Sequence, residues 1–157
     1  MSHKIDQIDK RILGELQRDA TISLDVLSDR IALSRNACWR RIQQLDAAGV
    51  ITSRVALLAP AALNLALSVF IVVRTGRHSA EWARDFRAAL ADIPEITGAY
   101  RTAGDIDYIL RARVPDVAAY DRLYQRLISR VDMVDVSASF VMEEIKDTHE
   151  LPLGYMG

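Results

Sequence analysis

Cysteine occurs once in the 157 residues, at Cys38, so no disulfide can close within the chain. A cysteine-based zinc site, whose ligands come in spaced pairs, is excluded for the same reason. Histidine is nearly as scarce: His3, His78 and His149 are scattered through a tail, a loop and a second tail, as surface residues rather than ligands. No Ser-His-Asp or metal-ligand spacing appears, which leaves a catalytic reading, such as a small oxygenase on a dimeric sandwich, without chemistry. Long apolar runs are absent too. The stretch 65–73, broken by Ser68, is too short to span a bilayer, and the first residues lack the basic start and apolar middle of a signal peptide. A soluble cytoplasmic protein is expected, with no metal, no cofactor and no membrane partner.

Half of the residues are hydrophobic, ample for one or two packed cores, which excludes a disordered chain. The net charge of −1 is uninformative until it is divided. Residues 1–58 hold nine Lys/Arg against seven Asp/Glu, net +2; residues 59–157 hold eleven against fourteen, net −3. Between Arg30 and Arg54 there are five arginines and one acid, Asp46. Positive potential concentrated in one segment is the electrostatic footprint of a nucleic-acid-binding module.

That segment contains SRNACWRRIQQLDAAGVI, from Ser34 to Ile51. Ser34 can cap a helix and Gly49 can end one, leaving about four turns between them. Cys38, Ile42 and Leu45 make an inner apolar stripe, which reads Cys38 as a small buried residue rather than a redox sensor. Arg35, Asn36, Trp39, Arg40 and Gln43 project from the other side, with Arg41 on the flank. Guanidinium forks and amides are what base edges and phosphates in a major groove accept, although a solvated cationic face has the same composition.

The context favours DNA. A first helix is expected from about Asp6 to Arg18, with Ile5, Ile8, Ile12, Leu13 and Leu16 inward and Asp6 and Asp9 in its first turns. A short helix follows Ser23, with Leu24, Leu27 and Ile31 inward, and only Ala32 and Leu33 separate it from Ser34. Three helices with so tight a turn between the last two form a helix-turn-helix.

Residues 50–58 are β-like and connect the two parts, open to pairing with their counterpart in a second chain. Beyond them, Leu67, Val69, Ile71 and Val73 alternate as one face of a strand. A helix from Ser79 to Ile93 places Trp82, Phe86, Ala89, Leu90 and Ile93 inward, and a second strand runs from Ile96 to Ala103. After the turn at Gly104, Tyr108, Leu110, Ala112 and Val114 alternate with Ile109, Arg111 and Arg113. Pro115 opens a helix carrying Val117, Tyr120, Leu123, Tyr124, Leu127 and Ile128, and a last strand spans Val134 to Met142. The fold class is α+β. A three-helix helix-turn-helix domain (1–49) and a β linker (50–64) precede a ferredoxin-like βαββαβ sandwich (65–157) with both helices on one face of an antiparallel sheet. Its other face still carries Ile109 and Val141, so a homodimer packed sheet to sheet is expected.

IDQIDKRIL at the start, LSRNACWRRIQQLDAAGVI, AGDIDYILRARVPD and the closing SFVMEEIK together resemble the Lrp/AsnC family of bacterial and archaeal regulators, the feast/famine regulatory proteins. CWRRI, HSAEW, AGDIDY and SFVMEEIK are also similar to the branch that responds to cysteine. The resemblance covers nearly the whole chain. It implies a nucleoid-associated transcription factor that binds double-stranded DNA and an amino acid (cysteine, leucine or another small or apolar one), assembled as dimers and as tetramers of dimers. Arg35, Asn36 and Arg40 would read base edges, while Ser34, Trp39, Arg41 and Gln43 position the backbone. The implied effector site falls on Gly104, Asp105 and Asp107 of the Gly-Asp-x-Asp turn, with Tyr100, Thr102, Ala103, Ser139 and Phe140 beside it. Two carboxylates near a glycine can receive an α-ammonium group, but aspartates in turns also bond turn amides, and the residues alone leave both open. A ligand-independent architectural protein of the same fold is the alternative function.

Overall fold

The computed structural model describes residues 4–76 and 78–155, so His3 lies outside the described residues. The chain divides into two compact units, one of residues 4–56 together with 146–155, the other of residues 57–145.

The first unit is helical: α1 (Gln7–Arg18), α2 (Leu24–Ile31) and α3 (Arg35–Ala47). Each begins at a side-chain cap, Asp6, Ser23 and Ser34, whose oxygen accepts a backbone N–H of the first turn. Ala32 turns through φ 57° between α2 and α3, and Gly49, at φ 70°, takes the chain out of α3. The core is Ile12, Leu13, Leu27, Ile31, Cys38 and Leu45, flanked by Ile5, Ile8, Leu16, Leu24 and Ile42.

The second unit is a four-stranded antiparallel sheet: β1 (Leu67–Arg74), β2 (Ile96–Arg101), β3 (Tyr108–Val114) and β4 (Asp135–Phe140), in the order β2-β3-β1-β4. Two helices, α4 (Ala80–Ala91) and α5 (Val117–Ile128), connect β1 to β2 and β3 to β4. Val69, Ile71, Val73, Leu110, Ala112 and Val114 from the sheet, with Trp82, Phe86, Ile93, Leu123 and Leu127, form its core. Trp82, Phe86 and Tyr108 stack within it, with centroids 4.7–5.6 Å apart.

Two expectations are corrected. Residues 52–59 form no strand within one chain: a strand needs a ladder partner, and among the described residues no segment pairs with this one. Residues 146–155, assigned by sequence to the sandwich, pack on the helical unit.

The placement of α3 depends on Arg41. Its Nη1 donates to Asp6 Oδ2 and Asp9 Oδ1, both at 2.8 Å, across to the start of α1. Asp6 and Asp9 are meanwhile locked to each other, Asp9 N–H to Asp6 Oδ1 at 2.8 Å and Asp6 N–H to Asp9 Oδ2 at 3.1 Å. The Asp9 side chain is only 1% exposed, so its charge needs a cation beside it. Arg41→Ala should therefore destabilise the helical unit by ~3 kcal/mol, read by urea unfolding, whereas Arg41→Lys should recover part of that loss. The N–H of Asp9, helped by the Arg41 guanidinium, holds the Asp6 carboxyl below its ordinary value of 3.8. That contribution is complete above pH 3.8 and fades as pH falls through the lowered value. Asp6→Asn keeps the cap acceptor without the charge, so its melting temperature should fall less than the wild type's between about pH 6 and about pH 3.

Candidate nucleic-acid interface and effector site

With Arg41 turned inward, the opposite side of α3 is open to solvent. Ser34, Arg35, Asn36, Arg40 and Gln43 are all exposed, and Trp39 is 54% exposed in their midst. Ser34 Oγ accepts the Ala37 N–H at 3.2 Å, which orders the first turn, where unpaired backbone N–H groups favour phosphate. Arg35 reaches Asp25 on α2 at 3.3 Å, but both side chains are more than 60% exposed, a contact that a phosphate can displace. Six of the seven side chains expected to meet DNA thus share one accessible surface. The seventh, Arg41, does not: its side chain is 24% exposed and committed to two carboxylates. The sequence signal for this was the Asp-x-x-Asp spacing at the start of α1, which reads as a reciprocal cap and therefore as a fixed pair of charges.

The effector positions separate into two groups. Thr102, Ala103, Gly104, Asp105 and Asp107 form the β2–β3 turn, with Tyr100 just before it, 56% exposed on the sheet face away from the helices. The turn is closed by Thr102 N–H to the Asp107 carbonyl at 2.8 Å and by Thr102 Oγ1 to the Ile106 carbonyl at 2.5 Å. Gly104 has φ 121°, which only glycine adopts readily. Asp107 does more than turn the chain. Its N–H donates to the Val73 carbonyl at 3.2 Å and its Oδ2 accepts the Thr75 N–H at 2.8 Å, tying the turn to the end of β1. The Nδ1 of His78 lies 3.8 Å from Asp107 Oδ1, while Asp105 is exposed. Thr75 and His78 belong to this cluster, and nothing in their local sequence pattern marks them.

Ser139 and Phe140 lie elsewhere. They are on β4, at the opposite edge of the sheet from β2, beside Phe70 and Val69 of β1. Those β1 positions are three and four residues from Val73, roughly 10 Å or more along the strand. Ser139 shares the outer face with Phe70, but Phe140 faces the helices, its ring edge-on to Tyr120 with centroids 5.2 Å apart. Burial, with Tyr124 nearby, raises the Tyr120 pKa, so its hydroxyl stays protonated and the aromatic cluster uncharged. One chain therefore does not gather all eight residues into one pocket. A hollow of about 330 Å³ lined by Ser79, Glu81, Trp82, Asp85 and residues 128–132 contains none of them.

The surroundings set the remaining chemistry. No group of three or more His, Cys, Asp or Glu among the described residues is placed to hold a metal ion, and no described helix is long and apolar enough to cross a membrane. Cys38 is fully buried, and burial raises its pKa, which keeps the thiol unreactive.

Residues 5–52 match the family model described as winged helix-turn-helix DNA-binding, and residues 68–151 match that of the Lrp/AsnC ligand binding domain. The chain is 48% identical over 153 residues to the glutamate uptake regulatory protein of Zymomonas mobilis, covering 98% of this chain and 93% of that one. The crystal structure of an AsnC family transcriptional regulator from Agrobacterium tumefaciens superposes with a TM-score of 0.93 at 47% identity, covering 96% of this chain and 99% of that one. A transcriptional regulator of Neisseria meningitidis in complex with L-methionine superposes at 0.90 and 37% identity, covering 95% and 97%. Helical unit and sandwich alike, this chain belongs to the Lrp/AsnC family of transcriptional regulators.

Proposed function

We propose that this protein regulates transcription by placing α3 from each of two copies into successive major grooves of a near-palindromic site. The observation that carries the reading is the division of labour on α3, in which Arg41 fixes one face while Arg35, Asn36, Arg40 and Gln43 stand clear on the other. Asn36, Arg40 and Gln43 point most directly away from the core stripe and are assigned to base edges, with Arg35 beside them. Ser34 and Trp39 contact the sugar-phosphate backbone. Arg41 supports the helix and is assigned no DNA contact.

Two copies are supported by the outer sheet face. Phe70 and Tyr100 are 42% and 56% exposed there, next to partly buried Val72 and Ile109, and such a surface is covered when two sheets pack together. Association also bears on the effector. The turn cluster and Ser139 occupy different edges of one sheet, so a pocket containing both requires residues from more than one chain. We assign an amino-acid effector to the turn, with Asp105 the available carboxylate and Asp107 holding the loop in shape. Such a ligand acts through its different affinity for different assembly states.

Fluorescence anisotropy on sites selected in vitro tests the DNA contacts. Arg40→Ala should cost ~1–3 kcal/mol at its preferred base and relax specificity there, and a variant that binds every sequence as the wild type does would refute the assignment. The occupied Asp107 carboxylate gives weight to a second reading, an architectural protein that ignores amino acids. A melting-temperature titration against the twenty amino acids separates them. The regulator should rise by several degrees with one class of ligand, Asp105→Ala should lose that rise, and an architectural protein should respond to none.

A further inference from the structure

The helical unit is completed by residues from the far end of the chain. Gln17 on α1 holds both polar groups of one backbone residue: its Nε2 donates to the Leu151 carbonyl at 3.2 Å, and its Oε1 accepts the Leu151 N–H at 2.6 Å. Two residues later Leu153 packs against the three-helix core, its Cδ1 3.9 Å from where a Cβ on Gly14 would stand. Glu150 lies 3.9 Å from Arg18 at the surface. An amide that satisfies donor and acceptor of the same residue specifies which residue sits there, so this is a registered seat rather than a loose covering. The glycine fits the same purpose. Mid-helix glycine is unfavourable, and a side chain at position 14 much larger than alanine's would take the space that Leu153 fills.

Connectivity gives the seat its consequence. The chain leaves the helical unit after residue 56, builds the sandwich over 57–145 and returns at 146. Two covalent segments therefore join the units, and the first of them, 52–59, has no regular structure and would by itself be a flexible tether. We infer that residues 146–155 are a strap, whose seating on Gln17 and Gly14 limits the freedom of the helical unit and so sets which spacing of DNA half-sites the assembled protein accepts. The inference rests on the DNA-binding reading above. A pair of recognition helices gains from binding together only at separations its linkers permit, and a second attachment narrows that range. The strap meets α1 through Gly14, Gln17 and Arg18 and uses none of the α3 residues assigned to DNA, so unseating it leaves the recognition surface itself unchanged.

The test compares the full chain with a Gln17→Ala/Leu153→Ala variant and with a chain ending at Ile145. Each is titrated with a duplex carrying one half-site and with duplexes carrying two half-sites at varied separations, taken from sites that the wild type selects. Single half-site affinity should stay within about twofold of wild type, while the preference for the best spacing over one half a helical turn longer, about tenfold in the wild type, should fall below about threefold. The amide of Leu151 should resist hydrogen exchange in the wild type and exchange like an unstructured peptide in the double variant. A spacing preference unchanged in both variants, or an unprotected Leu151 amide in the wild type, overturns the strap. Loss of single half-site binding together with helical circular dichroism also overturns it, because the segment would then be only part of the fold. A wild type that binds no duplex refutes the regulator reading and the spacing role with it, an outcome distinct from a wild type that binds and variants that match it.

Discussion

A guanidinium between two carboxylates holds the helical unit in its working form. Asp9 is buried at the start of α1 and carries a charge that an apolar core would not tolerate alone, and Arg41 supplies the opposite charge from α3. The direction of that contact matters as much as its strength. By taking Arg41 inward it fixes the rotation of α3 about its own axis, so that Cys38 and Leu45 face the core and Arg40, the next residue back, faces solvent. One arginine of the adjacent pair is structural, and the other stands in solvent.

The sandwich has a comparable tension at its turn. Asp107 accepts the Thr75 N–H and so ties the β2–β3 turn to the end of β1, which makes the loop a formed surface before any ligand arrives. The same bond occupies part of a carboxylate that the family resemblance assigns to the effector, leaving Asp105 as the exposed acid. Strand order then determines what one chain can build. Because β2 and β4 are the two edges, one chain keeps the turn cluster and Ser139 apart.

Much of this was legible in the sequence wherever a periodicity had a single interpretation. The strand alternation in Tyr108–Val114, the cap at Ser34, the helix following Ser23, the positive-φ exit at Gly49 and the turn at Gly104 all stand as expected. Side-chain partners far apart in sequence were not legible. Arg40 and Arg41 are identical in type and adjacent, and only the three-dimensional position of Asp9 distinguishes them. Gln17 and Leu151 are 134 residues apart, and nothing in LPLGY announces that it returns to α1.

Entry of α3 into the major groove would cover the guanine edges beneath it. Methylation protection tests it most directly, because dimethyl sulfate attacks guanine N7 in the major groove and adenine N3 in the minor groove. On a site selected by this protein, the account predicts two patches of guanine N7 protection about ten base pairs, or a multiple of that, apart, with adenine N3 between them still reactive. Protection confined to adenine N3, or a complex that leaves every guanine N7 reactive, would contradict it.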